Sequence, residues 1–173
     1  MPKPLVFMMG RAPAILPTDR LYAHNHMWAA PAAGEESRAG EAGGDPLRFG
    51  LSAFAVRLLG DVEIVEWSAG PGSTLAAGEP MGTIEGSKAA SQIVAPAAGV
   101  VLAFNLNVIT DPTLINSNLY DQGWLFVLRC SNQEFLGPAE YLEHLNACWP
   151  LAQRMLEGTS GPPDCEPSAP GGS

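Results

Sequence analysis

Two short β-prone runs, Met81 to Ile84 and Ile93 to Val94, stand on either side of Glu85-Gly86-Ser87-Lys88. Glycine accepts positive φ, and Glu and Ser stay solvated, so the middle segment reads as a bend and the whole as a hairpin. The pattern is echoed nearby. Gly78-Glu79-Pro80-Met81-Gly82-Thr83-Ile84 resembles Ala95-Pro96-Ala97-Ala98-Gly99-Val100-Val101, each a proline, a glycine and then a β-prone run. Prolines at strand starts and glycines at bends restrict a chain to short strands. Two such units around one tip predict a quasi-symmetric flattened barrel. The tip carries Lys88, which shares the 173 residues with only one other lysine, Lys3. There it would be exposed, within reach of a modifying enzyme, and able to swing an attached group. The ordinary reading of one exposed lysine is a solvated turn.

The chain has room for one domain with a sizeable core. A hydrophobic content of 46% excludes disorder as a whole, and a net charge of −9 argues against nucleic acid or an anionic membrane as partner. It suits basic protein surfaces instead. Cys130, Cys148 and Cys165 are odd in number and form no CxxC, so neither a disulfide framework nor a zinc site follows. No apolar run approaches membrane-spanning length, and Leu5 to Met9 is too short for a signal-peptide core. Pro2, Pro4, Pro13 and Pro17 would break a helical transit peptide. The expectation is a cytoplasmic protein.

Residues 1–19 read as an extended leader, 20–157 as the folded domain and 158–173, rich in Gly, Pro and Ser, as a disordered tail. Leu21 to Trp28 reads as a first strand with Tyr22, His24, His26 and Trp28 on one face. His24 and His26 could then point at a metal, but His144 lies far off in a helical stretch, so ordinary hydrogen-bonded histidines are the reading and no metal is assigned. Residues 29–45 read as a mobile loop, and Leu47 to Leu51 as a strand. Ser52 is a candidate N-cap for a largely buried helix over Ala53 to Leu59, closed by Gly60. In the strand Asp61 to Trp67, Val62 and Ile64 would face one way and Glu63 and Val65 the other. Further strands are expected at Gly99 to Phe104 and Trp124 to Leu128, with one helical turn in Asp111 to Asn116. Pro138 should start a helix buried along Tyr141, Leu142 and Leu145, which Pro150 kinks or divides.

In order and spacing, these pieces resemble the glycine cleavage system H-protein family. The likeness runs from about Leu21 to Leu145. It is carried by Tyr22, His26 and Trp28; Phe49-Gly50-Leu51-Ser52; Leu59-Gly60-Asp61; Gly78-Glu79-Pro80; and Glu85-Gly86-Ser87-Lys88-Ala89. Ala95-Pro96, Gly99, Asn105, Asp111-Pro112, Leu114-Ile115-Asn116, Tyr120 and Gly123-Trp124-Leu125 continue it. The resemblance implies a mainly β fold with peripheral helices, a flattened lipoyl-type β-barrel of the barrel-sandwich hybrid kind. It implies a carrier without catalysis of its own, with lipoate on Lys88 and with Glu85, Gly86, Ser87 and Ala89 met by a lipoate ligase or lipoyl transferase. The implied partners are a glycine decarboxylase, a folate-dependent aminomethyltransferase and a flavin-dependent dihydrolipoyl dehydrogenase, between which an aminomethyl group is shuttled. Biotin carriers place methionines beside their lysine; Ser87 and Ala89 stand here and favour lipoate.

The resemblance also implies an arm-docking cleft at His26, Met27, Arg57 and Leu58, and there the chain departs from the pattern. Met27 replaces the glutamate of a common His-Glu-Trp, the helix before Gly60 is apolar apart from Arg57, and Gly86 sits where a β-branched residue is usual. A pocket for a cationic load looks weakened. Two other readings follow: a lipoate-binding carrier of similar fold in another pathway, such as a heterodisulfide-reductase-like sulfur route, or an unmodified interaction module.

Overall fold

The computed structural model describes residues 3–32, 44–130 and 135–156. The strands are β1 (Leu5–Met9), β2 (Ala12–Leu16), β3 (Leu21–Tyr22), β4 (Met27–Pro31), β5 (Asp45–Leu51), β6 (Val62–Trp67), β7 (Thr74–Leu75), β8 (Pro80–Gly86), β9 (Ala90–Val94), β10 (Gly99–Phe104) and β11 (Phe126–Cys130). The helices are α1 (Ala53–Leu59), α2 (Asn107–Thr110), α3 (Leu114–Ser117) and α4 (Pro138–Leu156). The pairing is antiparallel. One sheet runs β3-β4-β5-β11-β10-β7, a second β6-β8-β9, and β1-β2 stand apart as a hairpin. The first two sheets do not close into one hydrogen-bonded cylinder; they lie flattened over a shared core that includes Phe49, Val65, Met81, Ile84, Ile93, Val101 and Phe126. The fold is the flattened barrel that the proline and glycine spacing predicts.

The first helix forms where its caps say it should. Ser52 Oγ accepts the Ala55 N–H at 3.3 Å, and Gly60 ends the helix at φ 81°. Phe54, Leu58 and Leu59 are buried. Helix α4 buries Tyr141, Leu145, Cys148 and Ala152, a stripe at helical spacing, and Leu142 is only partly covered. The helix runs unbroken through Pro150, whose missing N–H falls opposite the exposed Asn146.

The N-terminal segment is not a simple leader. Its prolines leave Leu5–Met9 and Ala12–Leu16 free to pair, Pro13 lies opposite Met8, and Gly10 makes the turn at φ 66°. Phe7, Met9, Ala14 and Leu16 are buried in a second apolar cluster with Tyr22, Trp28, Phe54, Leu58, Tyr141 and Leu145. Phe7 packs edge-on against both Phe54, at 5.9 Å between centroids, and Trp149, at 5.8 Å. The hairpin thus fastens α1 to α4.

Other departures have local causes. The run Leu21 to Trp28 is broken at residues 23–26, where His26 takes φ 67° and its N–H donates to the Ala23 carbonyl at 3.1 Å. A left-handed residue turns the chain, so two strands replace one. In β6 a register shift between Val62 and Ile64 resets the alternation, so Val62 and Val65 are buried and Ile64 is exposed. The last strand starts at Phe126 because the Asn105 side chain donates to the carbonyls of Gln122 and Trp124. The helical turn is Leu114–Ser117, preceded by α2. Residues 29–31 and 45 of the expected loop are strand, 33–43 lie outside the described residues, and so does the tail 158–173. No described helix is long and apolar enough to cross a membrane.

Truncating the ring that joins hairpin and helices, Phe7→Ala, should lower the unfolding free energy by about 3–5 kcal/mol in urea titrations. The buried acids give a second expectation. Burial pushes the Tyr120 hydroxyl and the Cys130 thiol each up to about 12, from reference values of 10.0 and 9.0, and also raises the Tyr22 and Tyr141 hydroxyls well above the usual range. Their protonated forms are the folded ones, so this stability is complete below the unfolded values and is lost as pH rises from about 9 toward 12. Thermal midpoints should therefore fall progressively between pH 9 and 11 while staying flat from pH 7 to 8.5.

Candidate functional site

Lys88 sits on the bend between β8 and β9, exposed. Sequence alone accounts for a bend; tertiary contacts hold it still. The Lys88 N–H donates to the Leu59 carbonyl at 2.9 Å, and the Ser87 N–H to the Asp61 carbonyl at 2.9 Å. In return Ser87 Oγ accepts the Asp61 N–H at 3.0 Å. Within the bend, the Gly86 N–H reaches the Ala89 carbonyl at 2.8 Å. The bend is therefore docked on the residues that end α1.

Two glycines make that approach possible. A Cβ on Gly86 would lie 2.3 Å from the Leu59 carbonyl oxygen, and one on Gly60 would lie 2.4 Å from Ser87 Oγ. Gly60 also needs its positive φ. The platform is braced from behind by Asn116, whose side chain accepts the Val62 N–H at 2.8 Å and donates to the Gly60 carbonyl at 3.0 Å.

The surroundings are acidic and solvated. Between Arg57 and Arg129, Asp61, Glu63, Glu66, Glu79, Glu85, Asp111 and Asp121 face a single base, Lys88, and all of these acids are exposed. Glu85 lies on the last turn of strand before the bend, opposite Ile64 and Ala90. Ser87 is exposed, and Ala89 is half-buried against the edges of both apolar clusters.

The chain as a whole is similar to known proteins. The glycine cleavage H-protein model matches residues 34–146. A glycine cleavage system H protein from Rubrobacter xylanophilus is 35% identical over 133 residues, spanning 76% of this chain and 96% of that one. One from Corynebacterium jeikeium is 35% identical over 131 residues, 76% and 97% of the two chains. The crystal structure of the H protein from Mycobacterium marinum superposes with a TM-score of 0.63 at 32% identity, covering 76% of this chain and 99% of that one.

The chain belongs to the glycine cleavage H-protein family. Its role in that system is that of a carrier and not of an enzyme. The family-model match begins at residue 34, after the β1-β2 hairpin.

The residues expected to form an arm-docking cleft do not share one surface. Arg57 is exposed on α1, while Leu58 is buried in the cluster under the N-terminal hairpin. Met27 is 2% exposed, opposite Leu51, inside the barrel core. His26 is half-buried, its ring 4.8 Å from that of Phe54 and its Nδ1 2.9 Å from the Tyr141 hydroxyl. Gly86 answers to the close approach of the Leu59 carbonyl, which leaves no room for a Cβ there. Sequence reasoning missed Tyr141, His144 and Cys148 as neighbours of His26; the spacing of His144 and Cys148, four apart on one helix, was the available signal. Gly86→Ala should lower stability by about 1–3 kcal/mol in denaturant titrations, because the added carbon must displace backbone and not a mobile side chain.

Proposed function

We propose that Lys88 is the attachment point of a lipoyl arm and that the chain carries that arm between the enzymes of glycine cleavage. The observation that supports this best is the combination at one residue of a fixed backbone and a free side chain. The Lys88 amide is held by Leu59, yet its side chain is exposed, and no acidic group among the described residues is recorded within ion-pairing distance of the amine. Attachment of an acyl group needs a lysine amine that an enzyme can take up in its neutral, nucleophilic form. An exposed, unpaired amine on a docked bend fits that requirement, and Glu85, Gly86, Ser87 and Ala89 are the surface a lipoate ligase or lipoyl transferase would read.

Once bound through an amide, lipoate supplies disulfide–dithiol chemistry that no side chain here provides. The chain's own residues root and present it. Acylation removes the one positive charge between Arg57 and Arg129 and leaves the exposed acids around the arm. That surface would meet a glycine decarboxylase, an aminomethyltransferase and a dihydrolipoyl dehydrogenase in turn, each through basic groups, with rates that fall as salt rises. Tethering makes the load intramolecular to a docked enzyme, which raises its effective concentration.

The test is intact mass after co-expression with a lipoate ligase. One lipoyl group should appear on the wild-type chain and none on Lys88→Arg, and Glu85→Ala should slow its addition at least severalfold. An unchanged wild-type mass would leave the interaction-module reading. With lipoylation complete, label from bicarbonate should exchange into glycine when decarboxylase is added. Failure of that step alone would move the carrier to another pathway.

A further inference from the structure

His26 holds an unusual position. Its backbone is left-handed at φ 67°, fixed by the Ala23 carbonyl and by the Ser52 N–H, which donates to the His26 carbonyl at 2.9 Å. Its ring is fixed as well. Nδ1 lies 2.9 Å from the Tyr141 hydroxyl, and that hydroxyl lies 2.8 Å from Ser52 Oγ. Tyr141 is fully buried, and burial holds its hydroxyl protonated. Both hydrogen bonds can run either way, and in one arrangement the tyrosine donates to Ser52 and its oxygen accepts the His26 Nδ1 proton. That tautomer leaves the lone pair on Nε2. Nε2 is buried and has no hydrogen-bond partner among the described residues.

A buried ring nitrogen without a partner is a penalty that folding normally avoids. Two further donor side chains lie close to His26. His144 and Cys148 stand four apart on α4, with His144 Nε2 3.7 Å from Cys148 Sγ. The His144 and His26 rings are stacked 5.5 Å apart. One ligating atom from each of His26, His144 and Cys148 lies within 4.8 Å of the other two. Zinc bonds of about 2.0–2.1 Å to nitrogen and about 2.3 Å to sulfur set neighbouring tetrahedral donors about 3.5 Å apart. The His144–Cys148 pair, at 3.7 Å, is already near that spacing, and the remaining separations, none above 4.8 Å, would shorten by side-chain rotation as the ion binds.

We propose that His26, His144 and Cys148 form a metal site for a borderline-soft divalent cation, with zinc as the best match. Two imidazoles and a thiolate are the donor set such ions select over magnesium or calcium. Tyr141 and Ser52 provide the outer hydrogen bonds that orient a histidine ligand. Cys148 gives up its thiol proton. The His144 Nε2 proton, which now faces the His24 carbonyl at 3.1 Å, moves to Nδ1 as the ring turns its lone pair inward. Water or an outside ligand takes the fourth position. The ion would clip the turn before β4 to the C-terminal helix, on the side of α1 already braced by the N-terminal hairpin.

The experiment uses the full chain without a lipoyl group, verified by intact mass, stripped with chelator under reducing conditions and titrated with cobalt(II). One equivalent should bind with a thiolate-to-cobalt charge-transfer band and the strong visible bands of tetrahedral cobalt, and zinc should displace it. Cys148→Ser should abolish the charge-transfer band, and His26→Ala and His144→Ala should each weaken uptake at least tenfold. Cys165→Ser should change nothing. Zinc should also raise the thermal midpoint of the wild type and leave that of Cys148→Ser unmoved, a reading that stands if His26→Ala does not fold. Absence of stoichiometric uptake, a charge-transfer band that survives in Cys148→Ser, or equal zinc stabilisation of both chains would overturn the site.

Discussion

The contact on which the rest of the molecule depends is the docking of one β-bend on the end of one short helix. The Leu59 and Asp61 carbonyls take the Lys88 and Ser87 amides, and Ser87 Oγ takes the Asp61 amide in return. Each group involved would otherwise need water, since a helix end leaves its last carbonyls unsatisfied and a bend interrupts the ladder of its hairpin. Meeting each other solves both problems. It also explains the two glycines: the Leu59 backbone leaves no room for a Cβ on Gly86, and Gly60 needs its positive φ beside Ser87 Oγ. A surface feature that would ordinarily be soft is thereby tied to the barrel, because Leu59 is buried in the main core on the other side.

That arrangement sets a demand on α1. At 7 residues it is too short to persist alone, so its position must come from packing. The barrel supports it through Leu59, and the second apolar cluster supports it through Phe54 and Leu58. The second cluster is built largely from the N-terminal hairpin and α4, elements at opposite ends of the chain. Tyr120 joins the hairpin to α1 in hydrogen bonds as well. Its hydroxyl accepts the first free amide of α1, at Ala53, and donates to the Ile15 carbonyl of the hairpin. Arg20 lies over Trp28 and Tyr120 and donates to the Tyr120 carbonyl, closing the same corner. Stability in the periphery is thus transmitted to the bend through the helix between them.

What could be read from the sequence divides along this line. Helix α1 was readable to its ends because Ser52 and Gly60 act within a turn of their own positions. The bend at Lys88 and the short strands around it were readable for the same reason: glycine and proline constrain their immediate neighbours. The single run expected from Leu21 to Trp28 gives two strands because the chain turns at His26, held left-handed by hydrogen bonds with Ala23 and Ser52. The phase of β6 was misread because an irregular step opposite Gly86 and Glu85 shifts the alternation, and period-two patterning contains no sign of it. The leader and the His26 neighbourhood were hidden for a third reason. Phe7 beside Trp149, and His26 beside His144, are contacts between distant parts of the chain, and only the packed fold brings them together.

A carrier of this kind works by separating two kinds of freedom. If the bend itself fluctuated, each enzyme would have to immobilise backbone as well as arm, and each ordered residue costs about 1–2 kcal/mol in backbone entropy alone. On the reading proposed above, with the arm on Lys88, Ser87 and Lys88 are already held on α1, so a docking enzyme would meet a defined protein surface and order only the side chain and its load. The acids around the bend serve the same division. They are spread over β6, β8 and the loops near α3, so they can guide approach from several directions without fixing one partner's geometry. A surface that must be read by several enzymes in succession is better made of solvated charge around a rigid base than of one complementary pocket. The burial of Met27 and Leu58, which removes the most obvious lining for such a pocket, is consistent with that choice.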